Sequence, residues 1–257
     1  MASTKKLVKG HMIDEDGEYK TFRIDSTYHK IQSKLSEKVS VEHRKSQLRF
    51  FKESVDIIGV KSGDVSKIAK EIYNSLPDKD KLFIMSVCEK LFSSKILEES
   101  FIACSWAYNL RKEFVKDDFP TFERWIENYI TNWAACDTFC NHTMGSFIDY
   151  YPEHIEELKR WTKSGNRWVR RAAAVSLIIP VKEGRFKDEV FEIADLLLDD
   201  KEDMVQKGYG WLLKVCSHNY RDEVFEFVQK RKHIMPRIAL RYAIEKMPPE
   251  MKKLAMS

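Results

Sequence analysis

The stretch FKDEVFEIADLLL, residues 186–198, decides the class of fold. Val190, Ile193 and Leu197 share one face at spacings of three and four, while Lys187, Asp188, Glu192 and Asp195 take up much of the remainder. Apolar and charged residues divided at that period predict a half-buried amphipathic helix. Val205, Leu212 and Val215 repeat the spacing in the next segment, and Phe225 with Val228 do so in the one after. Outward from this stretch, about a dozen such segments follow one another from Phe22 onward. Pro77, Pro120, Pro152 and Pro236 each lie just inside a predicted helix start, with Asp118 placed to cap the helix opened by Pro120.

The connections are short and paired helices recur at intervals of about 40 residues, as in HEAT or armadillo arrays. The sequence therefore predicts an all-α fold: a HEAT-like helix-pair solenoid, or ARM-repeat-like superhelix, whose concave groove suits an extended partner. A globular helical bundle is the alternative, because no consensus string returns. Composition agrees with the class. Nine glycines and seven prolines in 257 residues are too few for the turns of β sandwiches, barrels or dinucleotide-binding folds. Residues 1–20 are polar and without apolar periodicity, which predicts a flexible arm preceding a single domain over 21–257.

Five cysteines at irregular spacing read as reduced thiols of a cytoplasmic protein. The longest nearly apolar run, Ala172 to Val181, is about half the length of a bilayer-spanning helix, so no membrane span is expected. A solenoid with polar end helices is expected to be a monomer.

The formal charge of +4 averages over a strong local excess. Between Lys159 and Lys187 nine basic residues are opposed only by Glu183, a local charge of +8. A second cluster comprises Lys230, Arg231, Lys232, Arg237 and Arg241, while acidic residues gather at Glu98-Glu99 and Asp199 to Asp203. Such segregation is the electrostatic footprint expected for a phosphate backbone, although solvated helix surface would look similar for either cluster alone. Trp161 and Trp168, interleaved with the first cluster, favour sugar and phosphate contacts.

No Gly-rich phosphate loop, nucleophile elbow or HExxH motif is present. Cys136, Cys140 and His142 raise a metal site, but no second ligand pair stands at zinc-finger spacing, and small apolar packing explains the thiols as well. No metal is therefore expected. More informative is NWAACD, residues 132–137. Trp133 and Asp137, four apart on a helix, can border one cavity. The blocks WVRRAA at 168–173 and QKGYGWLL at 206–213 follow in order.

These three blocks, with Met235-Pro236-Arg237, resemble the AlkD family of DNA alkylation repair glycosylases over approximately residues 22–247. The resemblance implies a HEAT-like fold and roles for individual residues. Asp137 would be the catalytic carboxylate, Trp133 and Trp211 the aromatic walls beside the lesion nucleotide, and Arg171 a DNA contact with Arg170 as its neighbour. Trp168, Lys163, Arg167, Lys207, Arg237 and Arg241 complete the expected DNA-binding set. The partner would be double-stranded DNA carrying alkylated bases, held without a base-flipping pocket.

The chemistry follows from the residues so assigned. A purine alkylated at N3 or N7 is cationic, so its glycosidic bond breaks without protonation of the base. An oxocarbenium-like sugar and a water nucleophile remain to be served by one carboxylate. No cofactor is expected. The expected activity is excision of 3-methyladenine and 7-methylguanine. The alternatives are a noncatalytic HEAT-like module that binds damaged or branched DNA, and a helical scaffold for a protein partner.

Overall fold

The computed structural model describes the backbone of residues 6–8, 11–13 and 17–257, and side chains from residue 21 onward. Helices account for almost all of it. Ahead of them, Lys6–Val8 pairs antiparallel with His11–Ile13, Leu7 standing opposite Met12. The first helix runs Gly17–Ser36, starting before the expected Phe22. Residues 1–5, 9–10 and 14–16 of the expected arm lie outside the described residues. The chain divides into two compact units, 1–135 and 136–257, where the sequence reads as one domain.

In the first unit, Ser62–Ser75, Lys81–Ser93 and Leu97–Asn109 pack on one another and on the first helix. Trp106 and Trp125 are fully buried there, with Phe92 and Phe122. Their polar atoms are satisfied: Trp106 Nε1 donates to the Ala69 carbonyl at 3.0 Å, and Trp125 Nε1 donates to Glu89. Glu89 also accepts from Arg124 and from the Tyr129 hydroxyl. Asp118 stands before the Phe119–Asn128 helix, yet its side chain does not cap it. Its Oδ2 accepts from the Val115 amide at 2.8 Å and from Lys81 Nζ at 2.6 Å, binding the incoming turn to a neighbouring helix.

The second unit shows the helix pairs in two layers. Arg167–Val175, Asp203–Cys216 and Arg237–Ala243 stack side by side in one layer. Ile155–Trp161, Lys187–Leu196 and Arg221–Arg231 form the other, where Phe191 stacks on Phe227 at 5.2 Å. The helix read from residues 186–198 buries Val190 and Ile193, with Leu197 buried just beyond its end. Close backbone approach sets the spacing of the first layer. A Cβ on Gly210 would stand 2.8 Å from the Ala239 carbonyl oxygen and 2.7 Å from Tyr242 Cβ, so only glycine fits.

Three expectations are corrected here. Trp161 and Trp168 are 1% and 6% exposed, so they fill the core rather than meet sugars or phosphates. Glu98 and Glu99 are each 1% exposed and contribute no acidic surface. The basic run Lys159–Lys187 is not an uncompensated field. Lys159 pairs with Glu156 and Glu192, Arg160 with Glu157, Arg167 with Glu202 and Arg170 with Asp200. Arg171 pairs with Asp137, Arg185 with Asp149 and Glu183, and Lys187 with Asp188. Carboxylates distant in sequence supply most of these partners, which a count along the chain does not see.

Candidate active site

Asn132 starts the site helix. Its Oδ1 accepts from the Ala135 amide at 2.9 Å, an N-cap that fixes the first turn of Trp133–Phe139. The helix passes into a π turn, Cys140–Met144, and resumes as Gly145–Tyr150. Asp137 lies just before the π turn, a break in helical register that often accompanies functional positions.

Asp137 meets Arg171 across two parallel bonds, Nε to Oδ1 and Nη2 to Oδ2, both 2.8 Å. This fork-to-fork geometry matches the ionised carboxylate, whose two oxygens both accept. The third nitrogen, Nη1, donates to the Met204 carbonyl. Burial pushes the Asp137 carboxyl above its ordinary range, and Arg171 opposes that shift. Burial alone would lower Arg171, but the bonds to Asp137 outweigh it and the guanidinium is held above its usual value. Arg171 is only 4% exposed, and its guanidinium is turned inward onto the carboxylate.

Arg170 points elsewhere, as two successive helical residues must, being separated by about 100°. It holds Asp200 through Nε at 2.6 Å and the Ser164 carbonyl through Nη1 at 2.8 Å. Arg170 therefore ties two loops together rather than presenting a free cation.

Met204, Gly208 and Trp211 form one stripe of Asp203–Cys216, at spacings of four and three. Met204 supplies the carbonyl to Arg171. Gly208 lies against the same side chain, since a Cβ there would stand 3.3 Å from Arg171 Cγ and 3.5 Å from Nη1. Trp211 is half-buried, one turn farther along. Lys207 pairs with Asp203 at 3.1 Å, and Arg167 lies over the Trp168 ring at 4.8 Å. Lys163, Arg237 and Arg241 are exposed, the last two a turn apart on Arg237–Ala243.

Trp133, half-buried in the first unit, stacks on Phe51 at 5.6 Å with 28° between the rings. Its Nε1 donates to the Phe50 carbonyl at 3.4 Å. The surrounding apolar cluster is Val55, Ile57, Leu97 and Ala134. Cys136 and Cys140 are buried; the Cys136 thiol donates to the Trp168 carbonyl at 3.7 Å, and burial pushes it well above its usual range. Among the described residues no group of three or more His, Cys, Asp or Glu side chains could hold a metal ion.

Over residues 31–247 the sequence matches the family model described as DNA alkylation repair enzyme. The chain belongs to the DNA alkylation repair enzyme family. A solved structure described as a predicted DNA alkylation repair enzyme from Enterococcus faecalis has the same fold. It is 16% identical, with a TM-score of 0.72 over 82% of this chain and 98% of that one. Prion formation protein 1 of Saccharomyces cerevisiae is 23% identical over 203 residues, 72% of this chain. The chain spans 16% of that protein's length.

For this member of the DNA alkylation repair family, sequence reading missed Phe51 as the ring stacked on Trp133, Asn132 as the helix cap, and Met204 and Gly208 as neighbours of Arg171. An Asn three residues before an amide donor is a legible cap. Phe51 had no signal, because it lies 82 positions from Trp133, and Met204 acts through its backbone.

Proposed function

We propose that this DNA alkylation repair protein is a glycosylase that hydrolyses the N-glycosidic bond of cationic alkylpurines such as 3-methyladenine and 7-methylguanine. The Asp137–Arg171 pair carries the reading. Arg171 occupies one acceptor site on each carboxylate oxygen and leaves others for a water and for the charge developing on the sugar. It acts as a positioning residue, fixing the Asp137 rotamer and favouring the anion against the pull of burial. The C1′–N bond breaks with its electron pair passing to the base, which becomes neutral. Water forms the new C1′–O bond, and its proton leaves to Asp137 or solvent. The reaction consumes only water.

Trp211, on the stripe that touches Arg171, and Trp133 are assigned the aromatic faces that favour a cationic base. Each contributes on the order of 1–2 kcal/mol when desolvated. An unmodified purine lacks that charge, so selectivity needs no hydrogen bonds to base edges.

The noncatalytic DNA-binding reading has one observation in its favour: both Asp137 oxygens are already engaged, as in a purely structural ion pair. A duplex containing 7-methylguanine separates the two. The wild-type protein should release the free base and Asp137→Asn should release it at least about 100-fold more slowly. Equal rates would remove Asp137 from the chemistry. Salt-sensitive duplex binding with no release from any methylated duplex would establish the noncatalytic reading.

A further inference from the structure

Cys136 and Cys140 stand one helical turn apart, Cys136 within Trp133–Phe139 and Cys140 at the first position of the π turn. Side chains four apart on a helix share a face, so the two sulfurs meet, and they are in hydrogen-bonding contact. Both residues are 0% exposed, and neither takes part in the chemistry assigned to Asp137. Cys88, Cys104 and Cys216 are buried too, but each lies on a different helix.

Burial decides what such a pair can take. It pushes the Cys136 thiol well above its usual range, so two thiolates, as zinc or copper(I) requires, are disfavoured here. Among the described residues no third His, Cys, Asp or Glu joins the pair to complete a metal site. A trivalent organoarsenical avoids both obstacles. In methylarsonous acid, CH3As(OH)2, each As–O bond breaks as an As–S bond forms, and each thiol proton leaves with the hydroxide as water. Arsenic stays trivalent, no oxidant is consumed, and the product placed in the apolar interior is neutral. An arsenic bridge also holds its two sulfurs at about the separation of two hydrogen-bonded thiols.

The pair is joined to the neighbouring ion pair. The Cys136 thiol donates to the Trp168 carbonyl at 3.7 Å, one turn before Arg171 on Arg167–Val175, while Asp137 receives Arg171 itself. Successive residues of one helix thus hold two points of the other. Both thiols lie near enough to Arg171 for their charge to act on it. Arsenic between the sulfurs removes the Cys136 S–H, deprives the Trp168 carbonyl of that donor and adds an atom to a close-packed place. The helix that carries Arg171 must then move.

We infer that Cys136 and Cys140 form a dithiol site for trivalent organoarsenicals, whose occupation displaces Arg171 from Asp137 and stops base release. Binding rests on the thiols alone, whereas the loss of base release rests on the glycosylase reading.

The test incubates the full chain with methylarsonous acid in excess mercaptoethanol, which strips the reagent from single thiols but competes poorly with a chelating pair. Intact-mass spectrometry should show one CH3As gained and two hydrogens lost per chain. Base release from a 7-methylguanine duplex should fall at least about tenfold, and dimercaptopropanol should restore it. Cys136→Val and Cys140→Ala each leave one thiol of the pair, so each should hold the reagent at least about 100-fold more weakly. In both variants treated and untreated protein should release base equally. Two separate apolar replacements of buried thiols keep the comparison open if one of them folds poorly. No adduct on the wild type, or an adduct retained equally by both variants, overturns the inference. So does a stoichiometric adduct that leaves the base release of an active wild type unchanged. An adduct confined to the pair, with no base release even from the untreated wild type, upholds the dithiol site and sinks the glycosylase reading instead.

Discussion

All three nitrogen groups of Arg171 are committed inside the protein, two to Asp137 and one to the Met204 carbonyl. Arg171→Ala strands a buried carboxylate and should cost about 3–5 kcal/mol, measured by chemical denaturation. Gly208→Ala is subtler. The new methyl would press on Arg171 Cγ and shift the guanidinium by tenths of an ångström. Base release should fall about tenfold in single-turnover assays, with little change in melting temperature. Of the site, the i, i+4 relation of Trp133 and Asp137 was legible, because helical spacing alone relates them. The partner of Asp137 was not. Arg170 and Arg171 are adjacent and chemically alike, and only the packing of their helix decides which one faces the carboxylate.

Single elements show where local signals stop. Asp118 has the right residue type and position for a cap, but Lys81 and the Val115 amide compete for its carboxylate and win. Pro120 and Pro152 mark helix starts, since a missing amide is tolerated there, whereas Pro77 lies ahead of the Asp80 cap of Lys81–Ser93 and Pro236 stands just outside Arg237–Ala243. Asp149, on Gly145–Tyr150, shows a charge effect that sequence does not reveal. Burial raises its carboxyl from 3.8 to about 6, only partly opposed by Arg185 and reinforced by Glu183. Between those values the folded protein holds a proton that the unfolded chain has released. Stability should therefore fall as pH rises from about 4 to about 6, then level off. In Asp149→Asn that component of the slope should vanish, which urea unfolding at a series of pH values can read. In the first unit, Glu98 accepts from the amides of Ile58, Gly59 and Val60, so Glu98→Gln sets an amide NH₂ against a backbone N–H of that turn and should cost about 1–3 kcal/mol.

For the whole molecule, periodicity carried the fold class and the helix-pair order, because burial of one face is a property that each segment displays alone. The charge distribution could not be read that way. A local charge of +8 in sequence becomes, in three dimensions, a set of ion pairs closed by carboxylates from other helices. Lys163 and Lys182 are the cations of that run left exposed without a carboxylate partner among the described residues. Replacing both by Ala should reduce the salt slope of duplex binding by no more than about 2, the contribution of two phosphate contacts. The contact of Gly210 with Ala239 and Tyr242 has a consequence for descent. Position 210 answers to the spacing of two backbones, and position 211 to whatever its indole touches. A lineage that abandoned lesion chemistry would be free to lose Trp211 while still rejecting every side chain one residue earlier. Neighbouring letters would then drift at different rates, and a glycine retained beside a replaced tryptophan would mark a relative that kept the architecture and gave up the reaction.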